Sequence, residues 1–127
     1  MESIFILYVK DQQQARDFYR EVLQIEPTLD VPGMTEFQLV NGASLGLLPT
    51  ANIKKLLGDK MPDPSQAEGI PRAEVYLLVD SPLDYHTRAL ANGATELSPL
   101  MNRDWGHSVA YSLDREGHVL AFACATN

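Results

Sequence analysis

The chain has 127 residues, 45% of them apolar and 21% charged, which suits one globular domain large enough to bury a core. Acidic residues outnumber basic ones 17 to 10, a formal charge of −7, which argues against a nucleic-acid partner and mildly favours a neutral or cationic ligand. The longest apolar run, residues 119–125, is too short to span a bilayer. No charged leader opens the chain, and the single cysteine, Cys124, has no partner for an internal disulfide, so a cytoplasmic protein without a membrane partner is expected.

Residues 4–9 read as a strand with Ile4, Ile6 and Tyr8 on one face and Phe5, Leu7 and Val9 on the other. Both faces are apolar, so both need cover. Asp11 then offers a helix N-cap, with Gln14 three residues on, and Ala15, Phe18, Tyr19, Val22 and Leu23 make an apolar stripe at helical spacing over 12–23. Extended segments follow near 26–30, 35–40 and 43–48. Pro32-Gly33 separates the first two, and Asn41-Gly42 gives the last two a tight-hairpin signal. Residues 52–57 predict one or two helical turns, capped by Asn52 and stopped by Gly58. Residues 58–69 carry two prolines, three acidic residues and no apolar period, and read as an exposed connection.

The same plan then repeats. Residues 73–79 form a strand, Ser81 caps, Pro82 fits the first helical position, and Asp84 completes a capping box for a helix over 82–92 that Gly93 ends. Strands are expected near 95–100, 107–113 and 118–125. Aligning Val9 with Val79 sets Ile4 opposite Glu74, and aligning Gly42 with Gly117 sets Gly46 opposite Ala121. Two separately anchored alignments indicate an internal duplication. The fold class is therefore α+β: two β-α-β-β-β modules whose curved mixed sheets surround a cavity. Module one covers about 1–50, a connection 51–70, and module two about 71–127 of a single domain. Phe5, Leu7, Val9, Val75, Leu77 and Val79 are assigned to the helix side. Ile4, Ile6, Tyr8, Glu74, Tyr76 and Leu78 are assigned to the concave side.

The runs ILYVKDQQQARDFYREVLQI and WGHSVAYSLDREGHVLAFA, with the repeated strand-helix unit between them, resemble the vicinal oxygen chelate superfamily of glyoxalases, extradiol dioxygenases and bleomycin-resistance proteins. The resemblance implies paired modules and a homodimer. In the metal-using members the resemblance implies ligands near the start of each module's first strand and on each module's last strand. Those positions here are Ile4, Gly46, Glu74 and Ala121, of which only Glu74 has a side-chain donor. A Lewis-acid metal needs about three protein ligands, so no metal and no cofactor are expected. Of the histidines, His86 falls mid-helix and is expected to face solvent, and His118 follows a turn glycine. His107 opens a strand and stays a site candidate.

Glu74 is the singular polar residue of the predicted hollow. It is an anchor for a cationic or hydrogen-bonding ligand, or a general base with its pKa raised by desolvation, or else it pairs with Arg72 or Arg103 at the rim. Trp105, the only tryptophan, sits in a predicted loop, where an indole stacks on a ligand or plugs the sheet end. Cys124 reads as buried filler; Tyr8, Tyr76, Phe37 and Tyr111 are candidates to widen an aromatic lining, although the pattern does not fix the faces of Phe37 and Tyr111 and core packing is their default. Phosphate loops, zinc pairs and nucleophile elbows are absent from the sequence. Two functions stay open. One is a metal-independent protein that sequesters a planar or cationic compound through Ile6, Tyr8, Glu74, Tyr76, Arg103, Trp105 and His107. The other is a lyase, isomerase or dioxygenase that uses Glu74 as its catalytic base, or a metal with relocated ligands.

Overall fold

A computed structural model describes residues 1–126. The chain divides into two compact units, one of residues 1–20 and 24–68, the other of residues 21–23 and 69 onward. No helix among the described residues is long and apolar enough to cross a membrane.

The first unit holds β1 (Ser3–Val9), α1 (Gln12–Leu23) except its last three residues, β2 (Leu29–Val31), β3 (Met34–Val40), β4 (Ala43–Pro49) and α2 (Thr50–Leu57). Its sheet runs β1-β4-β3-β2, with β1 parallel to β4 and the other neighbours antiparallel. Asp11 caps α1 as its sequence indicates, its Oδ1 accepting from the Gln14 N–H at 3.0 Å. The α1 stripe is buried, as are Leu7, Val9, Phe37, Leu45 and Leu47 on one sheet face. Gln12 ties the first turn of α1 to the β2–β3 turn. Its Nε2 donates to Val31 O and Thr35 Oγ1, and its Oε1 accepts from Gly33 N–H.

The second unit holds β5 (Glu74–Leu78), α3 (Pro82–Ala91), β6 (Thr95–Asn102), β7 (His107–Leu113) and β8 (Val119–Ala125). Its sheet order, β5-β8-β7-β6, repeats the plan of the first, and β5 is again parallel to the last strand. Ile6 pairs with Gly46 and Tyr76 with Ala121, so the residues matched by the repeat occupy matching registers. Asp114 closes the β7–β8 turn by accepting from the Glu116 and His118 N–H groups. Gly117 takes φ +90°, and a Cβ there would meet the Gly69 backbone at 3.0 Å, so glycine is required twice over.

Several local expectations are corrected. Phe5 shares the side of Leu7 and Val9 but is 73% exposed, because β1 is an edge strand whose outer end is left uncovered. α2 starts at Thr50, so Asn52 lies inside its first turn rather than capping it. Ser81 precedes α3 without a side-chain cap bond, and the first turn is held instead by Asp84 N–H to Ser81 O. His86 does not face solvent: it is 3% exposed, with Nε2 2.9 Å from Glu96 Oε2, because the face of α3 that carries it and Ala89 packs toward β6, β7 and β8. The 58–69 connection includes two short 3-10 turns and buries Pro64. Cys124 is half-buried rather than buried.

Candidate ligand-binding site

The open face of the second sheet is fixed by register. Tyr76, Ala121 and Tyr111 form one cross-strand row, and Leu78, Ala123 and Val109 the next. Ala121, Ala123 and Val109 are fully buried, because the rings of Tyr76 and Tyr111 pack over them. Small floor residues thus let two large aromatics lie down on the sheet.

Between β6 and β7 the chain turns through Gly106, at φ +87°, a conformation that glycine adopts without steric cost. The turn is closed by Arg103 N–H to His107 O, and it presents Trp105 beside the sheet. Trp105 Nε1–H donates to Tyr76 Oη at 3.0 Å, and Tyr76 Oη lies 2.6 Å from His107 Nδ1. The Tyr76 and His107 ring centroids are 5.8 Å apart. Trp105 is still 54% exposed, so its indole is anchored at one edge and open on its surface. The structure therefore joins three sequence candidates, Tyr76, Trp105 and His107, into one hydrogen-bonded group.

Arg103 has a different position. Its Nη2 donates to Ser98 Oγ at 2.6 Å and to Val109 O at 2.9 Å, and its guanidinium lies 5.1 Å from the Tyr111 ring centroid. The β6–β7 ladder slips between Glu96 and Ser98 and again between Ser98 and Met101, around Pro99, which has no N–H to donate. Arg103 satisfies acceptors in that irregular stretch and sits as a cation on Tyr111.

Glu74 opens β5, exposed, in the row of Val119 and Leu113. It is not the dry carboxylate considered from the sequence, and among the described residues it makes no ion pair with Arg72 or Arg103. A strand end is wet on its outer side, and Arg103 is engaged elsewhere. The negative charge of Glu74 is nonetheless felt at Tyr111. Burial first, then Glu74 and Tyr76, hold the Tyr111 phenol above its ordinary pKa of 10.0, against an opposing pull from Arg103. Tyr111 and Ser98 thereby join the site's surroundings. Tyr111 is a sequence candidate for an aromatic lining whose face the pattern leaves open, and its register opposite Ala121 now fixes that face, whereas Ser98 carries no sequence signal.

In the first unit, Ile4 and Ile6 lie on the open face of β1 beside Gly46. A Cβ added to Gly46 would meet Met34 Cε at 2.8 Å, Ile6 Cγ1 at 3.1 Å and Ile4 Cγ2 at 3.2 Å. Apolar side chains therefore occupy the space where a ligating side chain on β4 would point. Tyr8 is half-buried on the same face, one row from Ile6. A shallow hollow of about 300 Å³ at Gln12, Gln13, Arg16, Asp30, Val31 and Pro32 was not foreseen from the sequence, but Gln12, Arg16 and Asp30 bond one another or their neighbours there.

The profile of the Glyoxalase/Bleomycin resistance protein/Dioxygenase superfamily matches residues 3–122. The chain belongs to this superfamily. Solved structures agree on the fold of this vicinal oxygen chelate group. A glyoxalase-related enzyme from Fulvimarina pelagi has 20% identity and a TM-score of 0.81, over 98% of this chain and 87% of that one. A protein from Agrobacterium tumefaciens, solved by NMR in solution, has 23% identity and a TM-score of 0.76, over 100% and 98%. TioX from Micromonospora sp. ML1 has 20% identity and a TM-score of 0.72, over 99% of each chain. No curated protein shows significant similarity to the sequence.

Superfamily membership raises the question of a metal, and the donor set does not fit one. Of Ile4, Gly46, Glu74 and Ala121, three carry no donor atom, Gly46 is covered by Met34 and the two isoleucines, and Ala121 lies under two tyrosines. Among the described residues, no three His, Cys, Asp or Glu side chains gather where they could hold an ion. One carboxylate does not hold a catalytic divalent metal.

Proposed function

We propose that this chain is a metal-independent small-molecule binding protein that sequesters a planar or cationic compound on the open face of the second sheet, as a homodimer in the cytoplasm. The observation that carries this reading is the aromatic wall of Trp105, Tyr76, His107 and Tyr111, held by hydrogen bonds and a cation–π contact on an alanine floor. Such a wall offers stacking area that is already ordered, which lowers the entropic cost of binding a flat ligand. Glu74 adds one negative charge at the edge, and its exposure limits its worth to that of a surface ion pair. Ile6 and Tyr8 supply apolar surface on the equivalent face of the first unit.

The alternative, an enzyme with Glu74 as base, draws less support. A base abstracting a proton needs a partner that stabilises the negative charge developing on the substrate. Of the two candidates, Arg103 has its Nη2 engaged by Ser98 and Val109, and His107 has its Nδ1 engaged by Tyr76.

The test uses the Trp105 indole N–H, a unique signal because the chain has one tryptophan. N-methylquinolinium, a flat cation, is titrated against isotope-labelled protein. A saturable shift of that signal is expected, and Glu74→Gln should weaken binding by roughly two- to fivefold. Absence of any shift from flat cationic or neutral probes would remove the reading. An unchanged affinity in Glu74→Gln would remove the anchor role alone.

A further inference from the structure

The hydrogen-bonded group at the open face has a direction, and that direction restricts what the face recognises. Trp105 Nε1–H is a donor only, so Tyr76 Oη must accept from it at 3.0 Å. The Tyr76 hydroxyl hydrogen then needs an acceptor of its own, and His107 Nδ1 stands 2.6 Å away, a separation suited to O–H···N. If His107 Nδ1 carried the proton instead, Tyr76 Oη would accept twice, and 2.6 Å would be shorter than the usual N–H···O range of about 2.7–3.2 Å. The favoured order is therefore Trp105 N–H to Tyr76 O–H to His107 Nδ1. Neutral imidazole with Nδ1 accepting carries its hydrogen on Nε2. Among the described residues, no hydrogen-bond partner takes that Nε2, and the ring is half-buried beside the exposed indole.

We propose that Tyr76 is a positioning residue that holds His107 as the Nε2–H tautomer, so that this face selects planar compounds bearing a hydrogen-bond acceptor on the edge that meets His107. The acceptor is a carbonyl oxygen, a ring nitrogen or an anionic oxygen. A compound offering only a donor at that edge meets another donor and leaves both hydrogens unpaired. This rests on the ligand-binding reading above and names the ligand chemistry that goes with it. The charge of Glu74 and the donor of His107 are separate features: the first favours a cation, the second an acceptor, and different substitutions remove them.

Two measurements on the full chain test it. The first needs no ligand. At pH 8, above the ordinary histidine pKa of about 6.5, long-range proton–nitrogen correlation spectra distinguish the imidazole tautomers. His107 is expected as the Nε2–H form, and Tyr76→Phe, which keeps the ring and removes the hydroxyl, is expected to mix in the other. An Nδ1–H form in the unsubstituted protein overturns the proposal. The second compares quinoline with naphthalene, equal in shape and differing by one acceptor nitrogen, through the Trp105 indole signal. Quinoline should bind roughly fivefold more tightly, the worth of one net hydrogen bond, and His107→Ala should bring the two dissociation constants together. Equal dissociation constants for quinoline and naphthalene overturn the acceptor requirement and leave flat-ligand binding standing. Silence of Trp105 toward quinoline, naphthalene and N-methylquinolinium overturns the binding reading itself.

Discussion

His86 and Tyr111 show how far burial changes the meaning of a polar side chain. His86 lies against the sheet at 3% exposure, while the side chain of its partner Glu96 is 45% exposed. The pair should therefore matter through packing rather than charge. His86→Ala is expected to cost about 2–3 kcal/mol for the space it leaves, and Glu96→Ala at most about 1 kcal/mol, both read from denaturant unfolding. Equal losses would contradict this division. Tyr111 gives a pH dependence of definite sign. Its pKa is raised in the folded chain, chiefly by burial and next by Glu74, so the folded state keeps the proton that the unfolded chain releases first. Its contribution to stability is present below about pH 10, the ordinary tyrosine pKa, and is lost as pH rises past that value. Phenolate absorbance of the protein, less that of Tyr111→Phe, should show titration above the ordinary value, and Glu74→Gln should move it downward. A titration at or below the ordinary value would refute the burial argument.

Helix entrances separate what sequence spacing shows from what the fold uses. Asp11 and Ser81 both read as N-caps, yet only Asp11 accepts a backbone hydrogen of the helix it precedes through its side chain. Asp11→Ala should cost about 1 kcal/mol, and Ser81→Ala a few tenths at most, compared by thermal unfolding. Equal costs would show that the capping assignment is incomplete. The strand and helix order, the duplicated register and the side of the sheet facing the helices were legible because apolar alternation and turn glycines carry them directly. Phe5 escaped because alternation reports the face of a strand and not whether anything covers it. The stretch around Pro99 escaped because its slips in register break the alternation that would place Ser98. Glu74, Tyr76, Trp105 and His107 were legible as exceptions, a charge or an aromatic where the pattern asked for something else. Their bonding to one another was not, since it depends on a turn through Gly106 that spacing does not specify.

Taken as a molecule, the chain keeps the repeated scaffold of its superfamily, with residues that carry no side-chain donor at three of the four positions that the sequence resemblance would give to a metal. It also leaves Ile4 at 48%, Ile6 at 43% and Leu78 at 64% exposure on its open sheet faces. Apolar side chains grouped on open faces favour an additional covering surface, and a second copy is the proposed one. Sedimentation equilibrium should give twice the 14.1 kDa of one chain, and Ile6→Glu should shift the balance toward monomer. A monomer at all accessible concentrations would contradict the proposed dimer. The central claim is that binding at the Tyr76–Trp105–His107 group needs no metal. Its most direct test is the titration of the Trp105 indole signal with N-methylquinolinium, first in EDTA and then with added zinc. One saturable curve, the same in both, is expected; a shift that appears only with zinc present would contradict metal-independent binding.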